Sequence, residues 1–160
     1  MIGPCLRFAA IAYAPNERLL DWLDALPAGL PCAVELRHPA FYDRSATERA
    51  LNRALHERGG KLDILVGNAG VPGPASPLGH IEVKQWTDTF AVNVTANFQL
   101  IRCMEPLLQK SDAGRAVFIT SGIASKATAY MGPYAASKAA ADLLAQSYAK
   151  TYKTPCIITN

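Results

Sequence analysis

The sequence predicts an α/β protein built on a parallel sheet of about five strands, with helices on both faces. Two observations carry that expectation. Short apolar runs of β-forming residues alternate with longer helix-forming stretches, strand then helix five times over with a last helix missing, which is the signature of a parallel sheet. The clearest strands, Asp63-Ile64-Leu65-Val66 and Arg115-Ala116-Val117-Phe118-Ile119-Thr120, are nearly continuous apolar runs, as expected of buried strands.

Each element has its own warrant. Leu6 to Tyr13 reads as a strand, and Pro15-Asn16 opens a helix with Asn16 as N-cap and Leu19, Leu20, Leu23 and Leu26 as its apolar stripe. The run Pro27-Ala28-Gly29-Leu30-Pro31 stops it. Cys32 to Leu36 is a second strand, and Ser45 or Thr47 caps a helix running to about Arg58, closed by Gly59-Gly60. The third strand, Asp63 to Val66, runs into Gly67-Asn68-Ala69-Gly70. Val71 to His80, with three prolines, is a rigid loop. A helical pattern from about Val83 to Lys110 places Trp86, Phe90, Val94, Phe98, Ile101 and Met104 on one side, for a core or a subunit contact. Pro106 is expected to kink or restart it. Ser111-Asp112-Ala113-Gly114 turns into the fourth strand, Ala135 to Lys150 is rich in helix formers, and Cys156 to Thr159 is the last strand.

Composition narrows the function classes. At 160 residues, half of them apolar and 18% charged, the chain is long enough for a real core. A net charge of +3 without a basic cluster gives no case for nucleic acid. Cys5, Cys32, Cys103 and Cys156 form no C-x-x-C pair, which predicts reduced thiols in a cytoplasmic protein. His38, His56 and His80 lack metal-ligand spacing, so no metal site is expected. Leu6 to Ala14 is interrupted by Arg7 and ended by Pro15, so neither a signal peptide nor a membrane span is expected.

The chemistry-bearing stretch is Ser121 to Lys138. Ser121 follows a strand's carboxyl end, where open α/β sheets bind ligands. Tyr134 and Lys138 lie four apart and project from one helix face. A nearby ammonium favours the phenolate, so this Tyr could trade a proton at neutral pH while Ser121 hydrogen-bonds the same substrate oxygen. Taken alone, a Tyr and a Lys four apart on an Ala-rich helix more often make a solvated surface pair. A buried Asn at position 93 is likewise more often a satisfied structural group than a catalytic one.

The neighbours change that balance. Asn68-Ala69-Gly70, Asn93 in Asn93-Val94-Thr95-Ala96-Asn97, Ser121 and Tyr134-x-x-x-Lys138 follow one another at separations of 25, 28 and 13 residues. In that order and register they resemble the short-chain dehydrogenase/reductase family over residues 60–160. The resemblance implies a three-layer Rossmann-like parallel sheet and an NAD- or NADP-dependent enzyme that interconverts a small-molecule carbonyl and a secondary alcohol. It further implies Tyr134 as general acid/base, Lys138 as modifier of Tyr134 and ribose contact, Ser121 as carbonyl orienter and Asn93 as proton-relay support. Asn68, Ala69 and Gly70 would border the cofactor together with Tyr134 and Lys138. The two long helices offer a surface for a homo-oligomer.

Against that family's pattern the chain is incomplete. The family's glycine-rich T-G-x-x-x-G-x-G turn has no counterpart, because the glycines before residue 60 are Gly3, Gly29 and Gly59, without a cluster. Gly67 stands where the family has the first Asn of N-N-A-G, and the substrate region that follows the last strand is missing. Ala33-Val34-Glu35-Leu36-Arg37-His38-Pro39 resembles part of the YecE-like proteins, a TIM-barrel-related group of unknown function, over roughly residues 5–59. Glu35 and Arg37 share one face of that strand, as an ion-paired site or a self-satisfied charge pair. The expected domains are therefore a YecE-like fragment at 1–59, supplying two strand–helix units, and the central part of a dehydrogenase domain at 60–160. The alternative to an active enzyme is a catalytically inactive, truncated or chimeric α/β domain that binds no cofactor.

Overall fold

The computed structural model describes residues 8–12, 17–27, 32–36, 46–57 and 61–159. They divide into two compact units, Met1–Lys61 and Leu62–Asn160. The expected caps Asn16 and Ser45, the Gly59-Gly60 turn and the pairing of Glu35 with Arg37 lie outside the described residues.

In the first unit, strand β1 (Phe8–Ala12) pairs in parallel with β2 (Cys32–Leu36), Ala10 opposite Val34. Helix α1 (Glu17–Ala25) and helix α2 (Ala46–Glu57) follow their respective strands. The Leu stripe of α1 forms the core as its spacing requires: Leu19 and Leu23 are buried with Leu51 of α2, and Leu20, Trp22, Val34 and Leu55 pack around them.

In the second unit, β3 (Ile64–Gly67), β4 (Arg115–Ile119) and β5 (Cys156–Thr159) form a parallel sheet in the order β3-β4-β5. Val66 stands opposite Val117, and Val117 opposite Ile157. The described strands are thus all parallel, but they pair as two plus three. Hydrophobic runs announce strands and cannot say which strands become neighbours. Burial alternates along β3. Leu65 and Gly67 face inward with Ala116 and Phe118, whereas Ile64, Val66 and Ile157 are about half exposed.

The long helical pattern is one rod in three parts: α3 (Val83–Phe90), a π-helical turn (Ala91–Thr95) and α4 (Ala96–Leu108). A reciprocal cap starts α3, with the Gln85 side chain accepting the Glu82 backbone N–H at 3.1 Å. Pro106 falls in the last turn, and α4 continues two residues beyond it without a restart. The expected stripe is only partly inside. Ile101 and Met104 are buried, but Trp86 and Phe98 are 40% and 45% exposed. The inward face runs instead through Thr89, Asn93, Asn97, Ile101, Met104 and Leu108, polar in its first half. Helix α5 (Gly132–Tyr152) begins three residues before Ala135, because Pro133 suits a first helical turn. It ends at Lys153 in the left-handed region, φ 55°, just before Thr154-Pro155.

Gly114 shows how tightly the turn into β4 is made. A methyl group there would run into the Leu108 backbone carbonyl, which cannot swing aside as a side chain could. Gly114→Ala is expected to destabilise the second unit by about 2 kcal/mol, read as a lowered urea midpoint.

Candidate active site

Three segments meet at the carboxyl ends of β3 and β4. Asn68, Ala69 and Gly70 leave β3 as exposed, irregular backbone. Ser121, two residues beyond β4, caps a short 3-10 turn (Gly122–Ser125), its hydroxyl oxygen accepting the Ile123 N–H at 3.4 Å. Acceptance there leaves the Ser121 proton for a partner in the cleft. Tyr134 and Lys138 occupy the first turns of α5, one helical turn apart as their spacing predicts.

Lys138 is 3% exposed, and its ammonium donates to the carbonyl of Ile119, the last residue of β4, at 2.8 Å. That bond ties α5 to the strand end. The same Nζ lies 5.9 Å from the centre of the Tyr134 ring, within reach of a cation–π attraction. The Tyr134 hydroxyl makes no hydrogen bond among the described residues. A methyl group on Gly70 would sit 3.1 Å from Lys138 Nζ and 3.6 Å from Asn93 Oδ1, so glycine leaves a bare shelf beside the ammonium.

Burial pushes the Lys138 ammonium below its ordinary value of 10.5. The unfolded chain therefore holds that proton more tightly than the folded one. Stability from this group is lowest below the folded value, rises with pH toward 10.5 and is complete above it. Lys138→Met is expected to remove that rise, seen as a flatter profile of urea midpoints at alkaline pH than the wild-type chain shows.

Asn93 sits in the π-helical turn and is fully buried. Its Oδ1 accepts the Val71 N–H at 2.8 Å, and its Nδ2 donates to the Val71 carbonyl at 2.9 Å and to Ser137 Oγ at 2.8 Å. Its own carbonyl accepts Asn97 Nδ2 at 2.9 Å. The side chain is thus wholly committed to clamping the segment after β3 onto α5. The sequence reading missed Val71, Asn97 and Ser137 as partners. Only the small, polar residue immediately before Lys138 hinted at a third contact on that helix. The described cleft lined by Leu108, Ser111, Arg115, Tyr152 and Pro155 lies at the opposite end of the strands, away from this chemistry.

Among the described residues no group of His, Cys, Asp or Glu could hold a metal ion, and no helix is long and apolar enough to cross a membrane.

Comparison with known proteins places the chain in a family. The chain is 39% identical over 101 residues to the uncharacterized oxidoreductase YciK of Escherichia coli K12, covering 61% of this chain and 40% of that protein. It is 32% identical over 111 residues to a D-beta-hydroxybutyrate dehydrogenase of Rhizobium meliloti, covering 69% and 43%. It therefore spans about two fifths of the length of these relatives. Among solved structures, an alcohol dehydrogenase from Thermococcus sibiricus complexed with 5-hydroxy-NADP shares the fold with a TM-score of 0.70 at 20% identity, covering 94% of this chain and 63% of that one. The family match runs from residue 10 and so passes through the segment that resembles YecE-like proteins. Over residues 10–160 the chain matches the short chain dehydrogenase family, and it belongs to that family.

Proposed function

We propose that the chain carries the catalytic half of a nicotinamide-dependent oxidoreductase that interconverts a small-molecule carbonyl and a secondary alcohol. The observation that carries this reading is the seating of Lys138, bonded to the end of β4, over the Tyr134 ring and beside the bare Gly70 shelf. That shelf and the unused ammonium protons fit the ribose and nicotinamide end of NAD or NADP, with Asn68, Ala69 and Gly70 along its edge. When bound, the nicotinamide supplies or accepts the hydride.

The residues divide the remaining work. The Ser121 hydroxyl donates to the substrate oxygen and orients it. Tyr134 Oη gives its proton to that oxygen in reduction and takes it back in oxidation. The Lys138 charge stabilises the anion left on Tyr134 once the proton has gone, and its remaining donors hold a ribose hydroxyl. Asn93 supports proton transfer by holding the Gly70–Val71 backbone and α5 in place. The test is loss of reduced-nicotinamide absorbance with NADH or NADPH and a panel of ketones and aldehydes. Turnover in the wild-type chain that disappears in Tyr134→Phe supports the reading.

The alternative, an inactive chimeric or truncated domain, is favoured by the scattered Gly3, Gly29 and Gly59. We propose that residues 1–59 stand where the family has its strand, glycine-rich turn and helix, which would otherwise receive the pyrophosphate. Each missing charge-assisted bond weakens cofactor binding by about 1.5–3 kcal/mol. Grafting a glycine-rich strand–turn–helix in place of 1–59 should then tighten binding at least tenfold, and an unchanged affinity would refute that division. The Cys156 thiol, in no disulfide among the described residues, supports a reducing, cytoplasmic setting. Exposed Trp86 and Phe98 on the long helical rod and Leu143 on α5 support a homo-oligomer through these helices, so Phe98→Glu should shift sedimentation toward the monomer.

A further inference from the structure

We propose that Ser137 is a positioning residue that sets Tyr134 and Lys138 by relaying the Asn93 clamp into the catalytic helix. The proposal rests on the reading of that pair as the site. Ser137 is fully buried between the two elements it joins. Its Oγ accepts one proton of Asn93 Nδ2 at 2.8 Å and donates its own to the Tyr134 carbonyl at 2.9 Å. The other Nδ2 proton goes to the Val71 carbonyl and Asn93 Oδ1 takes the Val71 N–H. Each bond in the chain Val71, Asn93, Ser137, Tyr134 therefore has a fixed donor and acceptor, and a flipped Asn93 amide would set Nδ2 against the Val71 N–H and Oδ1 against the Val71 carbonyl.

The relay reaches both catalytic residues. It ends on the backbone of Tyr134 itself. Lys138 directly follows Ser137, and its Nζ is fixed to the Ile119 carbonyl. The Val71 end of the relay fixes the segment carrying Gly70, whose shelf faces the same Nζ. Without the Ser137 hydroxyl, one Nδ2 proton is orphaned where water cannot reach it. The amide must then turn to find a partner, which releases Val71 and Gly70 from beside the ammonium.

Hydrogen exchange of the Lys138 ammonium, followed by NMR in a chain with 15N-labelled lysine, tests this without cofactor or turnover. Ser137→Ala is expected to speed that exchange about tenfold, the loss of one buried hydrogen bond. Ser137→Thr, which keeps the hydroxyl, should restore slow exchange. Unchanged exchange in a Ser137→Ala chain with a lowered melting midpoint would show a purely structural serine and overturn the proposal. So would equal acceleration in the Ala and Thr variants. If Ser137→Ala does not fold, Ser137→Cys, with its weak donor, is read in the same way. Where the wild-type chain turns over, Ser137→Ala should lower kcat about tenfold with substrate KM unchanged. A wild-type chain that never turns over while showing the exchange pattern would sink the oxidoreductase reading and leave the relay standing.

Discussion

Tyr134→Phe is expected to lower carbonyl reduction by a factor of about 10³, within the range that one positioned acid/base group supplies. The fold should not notice. The change removes one oxygen that makes no hydrogen bond among the described residues, and the half-buried ring stays beneath the Lys138 ammonium. The melting midpoint and far-ultraviolet circular dichroism should therefore match the wild-type chain, while turnover falls to background at every pH. Turnover within tenfold of wild type would mean that another group, or water, serves the substrate oxygen.

Asn93→Ala is expected to act on stability first. It deletes three side-chain hydrogen bonds and leaves Ser137 Oγ, in a fully buried position, without its donor. The exposed Val71 groups can turn to water, so the loss should be about 3 kcal/mol rather than the full sum. Asn93→Asp is the sharper comparison. Its carboxylate could still accept the Val71 N–H but could donate neither to the Val71 carbonyl nor to Ser137, and it would bury a charge. Chemical denaturation should rank wild type above Ala, with Asp no more stable than Ala. Equal stability of all three chains would mean that the clamp does not hold the segment after β3.

Much of the architecture was legible because it follows from local pattern. The Leu19, Leu20, Leu23 stripe marked α1 and its core, and the apolar runs marked β3 and β4 to within one residue. The four-residue step from Tyr134 to Lys138 put both on one helix face, as found. Strand pairing was not legible, since a hydrophobic run does not name its neighbour. Neither was the π-helical turn at Ala91–Thr95, whose residues are ordinary for an α-helix. That turn borders the candidate site through Asn93, and π-helical turns are frequent at functional sites. The apolar stripe of the long helix misled for a related reason. Hydrophobic spacing assigns the inward face to Trp86, Phe90, Val94 and Phe98, whereas hydrogen bonding draws Thr89, Asn93 and Asn97 inward. Ser137 and Val71 were invisible as partners because their role is set by elements 44 and 22 residues away from them in the chain.

Whether a nicotinamide dinucleotide settles beside Lys138 is measured directly by titrating the 15N-labelled chain with NADH and with NADPH into the millimolar range. The expected result is saturable movement of the Gly70, Ser121 and Lys138 amide signals with at least one of the two, weakened in Lys138→Met. Signals that stay in place to the end of both titrations would contradict it.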